Sequence, residues 1–168
     1  IIAGYKGDLI KDTFHNKIIN LTKVECILEK KLKGTGGALN ELKKKKIKNF
    51  ILSNGDSFCP INLNHFIKDL GNKLIKVSLV KNQNYKQNNL LANLNVKKEK
   101  IIFDKKSPFM NSGIYYVNKK NLKYFNAKKF SFENNYLKNL IIKKKVYGEK
   151  YKNELIDIGT PQNLKIAK

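Results

Sequence analysis

An apolar run that ends in Asn-Gly-Asp is the feature that most constrains how this chain can fold. Residues 50–52 (Phe-Ile-Leu) form a short hydrophobic segment, as expected for a strand buried on both faces. Residues 53–55 break the run, and Asp56 follows a glycine that lets the backbone turn sharply. In open α/β sheets, ligands bind beyond the carboxyl ends of the parallel strands. The segment therefore predicts a carboxylate placed to hold a metal ion or a hydroxyl, with an ordinary turn as the alternative.

The length and composition predict one folded domain. The chain has 168 residues, 41% of them apolar, so we expect a single domain over residues 1–168 with a substantial core. No apolar run approaches the roughly 20 residues of a membrane span, and residues 1–4 do not form a signal peptide. The chain begins at Ile1, in what reads as the end of a strand, which predicts that an N-terminal segment is missing.

The net charge of +22 invites a nucleic-acid hypothesis, which the residue types do not favour. Every basic residue is Lys, whereas Arg is preferred for bidentate base and phosphate contacts. The lysines are spread over all segments, as on solvated faces. We therefore expect no specific nucleic-acid partner, although a basic surface attracts anionic nucleotides and sugar phosphates.

The two cysteines, Cys26 and Cys59, form no CxxC pair and have no neighbouring histidine pair. A zinc site is therefore not expected. Nothing in the pattern calls for a disulfide, so we expect a protein of the reducing cytoplasm.

A glycine-rich segment at residues 32–39 (Leu-Lys-Gly-Thr-Gly-Gly-Ala-Leu) follows a predicted strand at 23–28 and precedes strong helix formers. Such a turn can offer free backbone N–H groups to an anion or a base edge. Gly34, Gly36 and Gly37 would let a ligand approach the backbone closely. The segment matches neither GxxxxGK[ST] nor GxGxxG, so a tight strand-to-helix turn remains the alternative.

The other segments alternate between strand and helix patterns. Helices are predicted at 8–19, from Asn62 or Asn64 to residue 70, and from a capping Ser131 onward. Strands are predicted at 74–80, at 90–96 and 100–104 as a hairpin, and at 111–117. Residues 155–161 are predicted to form a last strand and turn, in which Thr160 caps a helix and Pro161 takes its first position. Glu133 falls in a first helical turn, where the helix dipole by itself favours an acid.

Asp157 lies inside the otherwise apolar strand that begins at residue 155. Because a buried carboxylate is costly without a partner or a metal, a functional role is favoured for it. Alternating strands and helices predict an α/β fold with a mostly parallel sheet. Asp56 and Asp157, each at a strand end, together with a glycine-rich loop, form an arrangement suited to Mg²⁺-assisted phosphoryl or nucleotidyl transfer.

Six segments in this order resemble the sugar-phosphate nucleotidyltransferase family: residues 4–6, residue 29 with 32–39, 52–57, 111–116, 130–133 and 155–161. They span nearly the whole chain. The resemblance implies a Rossmann-like, GT-A-type fold, and a reaction of an NTP with a sugar 1-phosphate to give an NDP-sugar and pyrophosphate. The glycine-rich, Asn-Gly-Asp-Ser-Phe and Phe-Ser-Phe-Glu segments look most like the branch that uses D-glycero-D-manno-heptose 1-phosphate and GTP. Mannose- and glucose-1-phosphate nucleotidyltransferases remain alternatives, because these residues do not specify which base and which sugar are bound.

The resemblance also implies roles for individual residues. Asp56 and Asp157 would be the Mg²⁺ ligands and the catalytic pair. The residues that would line the nucleotide are Gly34, Thr35, Gly36, Asn54 and Gly55. The residues that would contact the sugar phosphate are Lys106, Asn111, Gly113 and Glu133.

Two departures from the family pattern stand out. Lys105 occupies the position where the family carries a glutamate before Lys106, and the N-terminal GGxGTR loop with its following lysine is absent from the chain. We therefore expect a fold that lacks its first βα unit and a chain that is inactive as it stands. A non-catalytic domain that retains a sugar-nucleotide site is the alternative function, and the oligomeric state is left open.

Overall fold

The computed structural model describes residues 1–81, 91–125, 128–159 and 161–166, and it divides into two compact units. The first unit comprises Ile1–Lys46 with Leu122–Tyr136, and the second comprises Ile47–Asn121 with Leu137–Lys168. Leu90 and Thr160, which the sequence assigns to a strand and a helix cap, lie outside the described residues.

The first unit begins with short elements. They are β1 (Ile2–Ala3), α1 (Gly7–Phe14), β2 (Ile18–Ile19), β3 (Thr22–Lys23), β4 (Ile27–Leu28) and α2 (Gly34–Ala38), which continues into a 3₁₀ helix at Leu39–Lys44. β1 pairs in parallel with β4, and β2 pairs antiparallel with β3.

Two predicted elements of the first unit are wrong in extent. The helix expected over 8–19 ends at Phe14, because Asn16 takes a φ of 62° and the chain then enters the β2–β3 hairpin. Positive φ angles at Asn20 and Leu21 close that hairpin tightly. The strand expected over 23–28 is interrupted between β3 and β4.

An aromatic cluster occupies the second segment of the first unit. The Phe125 ring packs edge-on against Phe132 and Tyr136, with centroid separations of 5.9 and 5.1 Å. Phe125 and Phe132 are completely buried. Burial raises the pKa of the Tyr136 phenol far above its ordinary value, and the nearby Tyr124 adds to this. The cluster supplies apolar support to residues 128–136.

The second unit contains a larger sheet. Its elements are β5 (Phe50–Ser53), β6 (Ser57–Phe58), α3 (Leu63–Phe66), β7 (Ile75–Lys81), β8 (Leu94–Lys97), β9 (Lys100–Phe103), β10 (Phe109–Val117), α4 (Lys138–Ile142), β11 (Val146–Lys150), β12 (Ile156–Asp157) and α5 (Pro161–Ile166). The strand order is β5-β10-β7-β11-β9-β8, and β8 also pairs with β10. β6 and β12 form a separate antiparallel pair.

The α/β class is confirmed, but the mostly parallel pairing expected for the central sheet is wrong. β7 and β11 are parallel, whereas β10 runs antiparallel to β5, β7 and β8, and β9 runs antiparallel to β8 and β11. β10 lies between β5 and β7, which therefore point in the same direction although they do not pair with each other. The sheet is mixed because β10 enters between two strands of the opposite direction.

The core of the second unit is built on β7 and β10. Ile75, Val77, Leu79 and Val80 of β7 are fully buried, as is Tyr115 of β10. β5 is only half-buried, so the prediction that residues 50–52 are buried on both faces is wrong. Its position at the end of the strand order explains this, because among the described strands it pairs with β10 alone.

The hairpin and the helix cap are close to expectation. Lys97 of β8 lies opposite Lys100 of β9, and the two residues between them have positive φ angles, as a two-residue hairpin turn requires. The Asn62 side chain accepts the His65 amide N–H at 3.0 Å, which caps α3. The helix predicted to reach residue 70 ends at Phe66 instead.

No helix in the described part of the chain combines the length and the apolar character needed to cross a membrane.

Candidate functional site

The turn after β5 carries the first group of predicted site residues, and all of it lies in the second unit. The Asn54 amide donates to the Gly113 carbonyl oxygen at 3.0 Å, which extends the β5–β10 pairing by one bond. Gly55 and Asp56 form the turn and are exposed. The Ser57 hydroxyl donates to Asp56 Oδ1 at 3.3 Å, which holds the carboxylate near the start of β6.

Asp157 approaches this turn through β12. It pairs with Ser57 across the antiparallel β6–β12 ladder, and the Ile158 amide donates to the Asp56 carbonyl oxygen at 2.8 Å. Its own Oδ1 accepts the Gly159 amide at 2.9 Å. The prediction that Asp157 is buried is wrong, because the two-residue β12 leaves its side chain exposed. Asp157 on β12 nevertheless lies next to the turn that carries Asp56, which directly precedes β6.

β10 brings Asn111 and Gly113 to the same turn. The strand register shifts between Asn111 and Tyr115, and Asn111 Oδ1 accepts the Gly113 amide at 3.0 Å within that irregular stretch. Gly113 has a φ of 79°, and a Cβ there would lie 3.0 Å from both Asn54 Nδ2 and Ser57 Oγ. Glycine is required at this position by both the backbone conformation and the close approach.

Lys106 lies in the turn between β9 and β10 and is exposed. Its backbone N–H donates to Asp104 Oδ1 at 3.1 Å. Hydrogen bonds from the Asn95 amide and the Lys106 backbone hold the pKa of the Asp104 carboxyl below its ordinary value. Lys105, also exposed, accepts a hydrogen bond from Asn93 Nδ2 at its carbonyl oxygen. The turn is therefore ordered by Asp104 and Asn93, while both lysine side chains reach solvent.

In the first unit, the glycine-rich segment is a helical turn docked on the Phe130 backbone. The Gly36 amide donates to the Phe130 carbonyl oxygen at 3.1 Å, and the Phe130 amide donates to the Lys33 carbonyl oxygen at 3.0 Å. A Cβ on Gly34 would lie 2.8 Å from that same Phe130 oxygen, and one on Gly36 would lie 2.2 Å from the Phe130 ring. The glycines therefore make room for atoms of the protein itself. The sequence analysis had predicted that this space would serve the close approach of a ligand.

Thr35 and Glu133 meet in the same unit. Thr35 Oγ1 donates to Glu133 Oε2 at 2.8 Å and accepts the Phe132 amide at 2.9 Å. Ser131 Oγ also donates to Glu133 Oε2, at 3.2 Å, and accepts the Asn134 amide at 3.0 Å. The predicted cap at Ser131 is present, and it opens a π-helical turn at Phe132–Leu137 that runs into α4.

Oxygen donors at the Asp56 turn fit a magnesium ion. Mg²⁺ uses one or two carboxylates, retains several waters and takes its remaining ligands from substrate phosphates. Asp56 and Asp157 are both exposed, so water and phosphate can reach them. Among the described residues there is no cluster of three or more His, Cys, Asp and Glu side chains suited to a metal, so a magnesium ion here would take its other ligands from water and substrate.

Three residues shape these groups in ways that sequence reasoning missed, although it predicted Ser131 as a helix cap. Ser57 bonds Asp56 and limits the space at Gly113, while Ser131 and Phe130 hold Glu133 and the glycines. Ser57 and Ser131 lie inside the recognised segments, so their position next to Asp56 and Glu133 was an available signal. Phe130 also lies in a recognised segment, but no local signal marks its contacts, because its partners lie almost 100 residues away in the sequence.

Comparison with known proteins extends the similarity to the whole chain. No protein-family model matches it. It is 29% identical over 171 residues to D-glycero-alpha-D-manno-heptose 1-phosphate guanylyltransferase of Campylobacter jejuni, a match that covers 97% of this chain and 74% of that protein. The protein of the same description from Aneurinibacillus thermoaerophilus is 26% identical over 173 residues, covering 98% of this chain and 74% of its own length.

A solved structure agrees with these relatives. HddC from Yersinia pseudotuberculosis, crystallised in complex with GMP-PN, matches with a TM-score of 0.76 and 27% identity, covering 99% of this chain and 76% of that one. The Rossmann-like fold and the similarity along nearly the whole chain make this protein similar to enzymes of the sugar-phosphate nucleotidyltransferase class. Within that class, the curated homologues of this chain are the heptose 1-phosphate guanylyltransferases.

Proposed function

We propose that this protein transfers the guanylyl group of GTP to a heptose 1-phosphate and releases pyrophosphate. The product, a GDP-heptose, would be made in the cytoplasm for lipopolysaccharide or capsule. The observation that carries the proposal is the adjoining position of Asp56 and Asp157, joined by the hydrogen bond from the Ile158 amide to the Asp56 carbonyl oxygen. The names of the two curated relatives supply the choice of nucleotide and sugar.

Asp56 and Asp157 would hold the Mg²⁺ ion of this reaction. A bound magnesium ion neutralises charge that develops on the phosphate oxygens during an in-line displacement. The protein's contribution is to keep two carboxylates ready without burying them. Ser57 holds Asp56 by its hydroxyl, and the Gly159 amide holds Asp157, so neither side chain has to be ordered when substrate arrives.

The remaining residues of the second unit would orient substrate. Asn54 and Gly55, beside Asp56, would contact the nucleotide. Asn111, which is partly exposed, would contact the sugar. Gly113 is buried and both of its backbone groups are bonded, so it would shape the sugar site beside Asn111. Lys106, with its side chain in solvent and its backbone tied to Asp104, would bind the anionic phosphate of the sugar.

The first unit would contribute two further groups of contacts. Gly34 and Thr35 are exposed and would reach the nucleotide through their backbone. Gly36 is buried and its amide is already donated to Phe130, so its role would be to shape the segment. Glu133 would accept hydrogen bonds from sugar hydroxyls.

The chemistry requires no side-chain nucleophile. A phosphate oxygen of the sugar 1-phosphate attacks the α-phosphorus of GTP, and the bond from that phosphorus to the pyrophosphate oxygen breaks. Both histidines are engaged in other contacts: His15 Nδ1 accepts the Cys26 amide, and His65 Nε2 lies 2.8 Å from Glu149 Oε1. The burial of Cys59 raises the pKa of its thiol, which disfavours the thiolate.

Pyrophosphate release tests the proposal directly. The complete gene product is incubated with Mg²⁺, each of the NTPs, and heptose, mannose or glucose 1-phosphate in turn. We expect the highest kcat/KM with GTP and heptose 1-phosphate. A preference for another pair would correct the substrates, and the absence of turnover with every pair would refute the catalytic proposal in favour of a non-catalytic sugar-nucleotide-binding domain.

A further inference from the structure

The contact between Thr35 and Glu133 joins two segments that lie 98 positions apart in the sequence. Both residues belong to the first unit. Thr35 Oγ1 donates a hydrogen bond to Glu133 Oε2 over 2.8 Å. The same oxygen accepts a hydrogen bond from the Phe132 backbone nitrogen over 2.9 Å. The Thr35 hydroxyl therefore makes two hydrogen bonds, one donated and one accepted, with the segment that carries Glu133.

The rest of the glycine-rich segment is attached to the same stretch. Two backbone hydrogen bonds join Lys33 and Gly36 to Phe130, and Gly37 packs so closely on the Lys128 carbonyl oxygen that a Cβ would lie 2.7 Å from it. Residues 33–37 and 128–133 thus form one interlocked element of main-chain bonds and close packing. A displacement of one segment requires rearrangement of the other.

We propose that Thr35 is a positioning residue for Glu133, and that its side chain serves sugar recognition while its backbone serves the nucleotide. This inference rests on the proposed function, in which Glu133 contacts the sugar. A glutamate side chain has three rotatable bonds, and ordering it costs free energy when the sugar binds. The hydroxyl groups of Thr35 and Ser131 both donate to Glu133 Oε2. They hold the carboxylate in one place before the sugar arrives, so less conformational entropy is lost on binding.

The arrangement also links the two substrates. A nucleotide that orders the Gly34–Thr35 backbone would order the same hydroxyl that holds Glu133. Binding of nucleotide and of sugar phosphate would therefore be coupled, and by linkage the coupling would be equal in both directions. The two substrates would need no contact with each other for this coupling.

The test uses steady-state kinetics of the complete protein with four variants. Thr35→Val removes the hydroxyl at nearly constant shape, Thr35→Ser retains it, Glu133→Gln weakens the acceptor, and Thr35→Val/Glu133→Gln combines the two. We expect Thr35→Val to raise KM for the sugar 1-phosphate about tenfold, the size of one hydrogen bond to a charged group. We expect kcat, and KM for GTP measured at low sugar 1-phosphate where the coupling does not contribute, to change less than twofold. Thr35→Ser should restore the wild-type values.

The double variant separates positioning from an independent role. If Thr35 acts through Glu133, Thr35→Val/Glu133→Gln is no worse than Glu133→Gln alone. Additive losses, or a rise in KM for GTP at low sugar 1-phosphate as large as that for the sugar, would overturn the inference, because Thr35 would then contact the nucleotide by its side chain. Thermal unfolding of each variant identifies a folding defect. If Thr35→Val has such a defect, the sugar KM of Thr35→Ser tests the inference, because this variant keeps the hydroxyl and should keep the wild-type KM.

The two proposals fail in different ways. A wild-type protein without turnover on any substrate pair refutes the proposed function and removes the basis of this inference. An active wild type in which Thr35→Val leaves the sugar KM unchanged overturns the inference alone.

Discussion

Asp157 lies directly opposite Ser57 in the β6–β12 ladder. Ser57 in turn directly follows Asp56 in the chain. The side-chain hydroxyl of Ser57 donates to Asp56, the residue directly before β6, so one serine adjoins both acids. A two-residue strand would contribute little to stability by itself. Its value here is geometric, because it brings a carboxylate from near the end of the sequence to a turn at residues 54–56.

Replacement of either acid should abolish metal-dependent activity without unfolding the protein. Asp56→Asn and Asp157→Asn retain shape but remove a charge. We expect at least about a 100-fold loss of kcat, because a metal contributes several kcal/mol of charge stabilisation. Both side chains are exposed, so the free energy of unfolding should change by less than about 0.5 kcal/mol.

Asp69→Asn is the matched control for these charge changes, since Asp69 is an exposed acid of the same unit. Its φ of 55° is one that asparagine also tolerates. Pyrophosphate release and calorimetric Mg²⁺ titration with a non-hydrolysable GTP analogue provide the measurements. Unchanged activity in Asp56→Asn would remove that residue from the metal site.

Gly113→Ala should damage both stability and activity. The φ of 79° makes any side chain strained by about 1–2 kcal/mol. The new Cβ would also press on Asn54 Nδ2 and Ser57 Oγ, both 3.0 Å away, and so disturb the turn that carries Asp56.

Gly71→Ala separates these two effects. Gly71 has a φ of 47°, but no atom lies within 4 Å of its Cβ position, so this variant meets only the backbone strain. Urea unfolding should show a loss in both variants, with the larger loss in Gly113→Ala. Turnover should fall only in Gly113→Ala. Equal stability losses and equal activities would show that the contacts at Gly113 are easily relaxed.

Gly36→Ala should destabilise the first unit by about 1–3 kcal/mol, the usual cost of overpacking. The added methyl group would lie 2.2 Å from the Phe130 ring, and Gly36 is buried. Gly55→Ala is the control, because nothing lies within 4 Å of its Cβ position. In Gly36→Ala/Phe130→Leu the smaller side chain should recover part of the loss. Urea denaturation of the four proteins tests this, and a stable Gly36→Ala would contradict the close packing.

Glu149→Gln should destabilise the second unit by about 3 kcal/mol, at the lower end of the range for breaking a buried ion pair. Glu149 Oε2 lies 2.5 Å from Lys76 Nζ, and Lys76 is 7% exposed, so the variant would leave a buried ammonium without its carboxylate. The exposed pair of Lys45 and Glu25 is the control. Glu25→Gln should change the free energy of unfolding very little, because solvent screens that pair.

The same pair predicts how stability depends on pH. Burial raises the pKa of the Glu149 carboxyl, but the hydrogen bond and charge of Lys76 and the charge of His65 outweigh it and hold the pKa below its ordinary value. A depressed carboxyl pKa contributes stability that is present above the unfolded-state value, about 4.3, and is lost as pH falls through the folded-state value. The difference in unfolding free energy between wild type and Glu149→Gln should therefore shrink at acidic pH. A difference that stays constant from neutral to strongly acidic pH would contradict this assignment.

Elements with a local signal could be predicted from the residue pattern. The apolar β-branched run of β7, the Lys98–Glu99 hairpin turn and the caps at Asn62 and Ser131 lie close to where the pattern predicts them. The order of short polar segments also indicated the enzyme class, because each segment keeps its turn chemistry wherever the fold places it. Helix ends were predicted less well, since α1 and α3 stop where tertiary packing and positive φ angles interrupt a continuing helical pattern.

Only the tertiary structure decided the direction of the strands, the exposure of Asp157 and the reason for the glycines. Strand direction depends on which strand is inserted where, and the antiparallel entry of β10 between β5 and β7 leaves no trace in hydrophobic spacing. Asp157 is exposed because its strand is only two residues long, and Gly36 faces a phenylalanine that lies 94 positions later in the sequence. Each of these properties depends on contacts between residues far apart in sequence, whereas residue patterns report only on near neighbours.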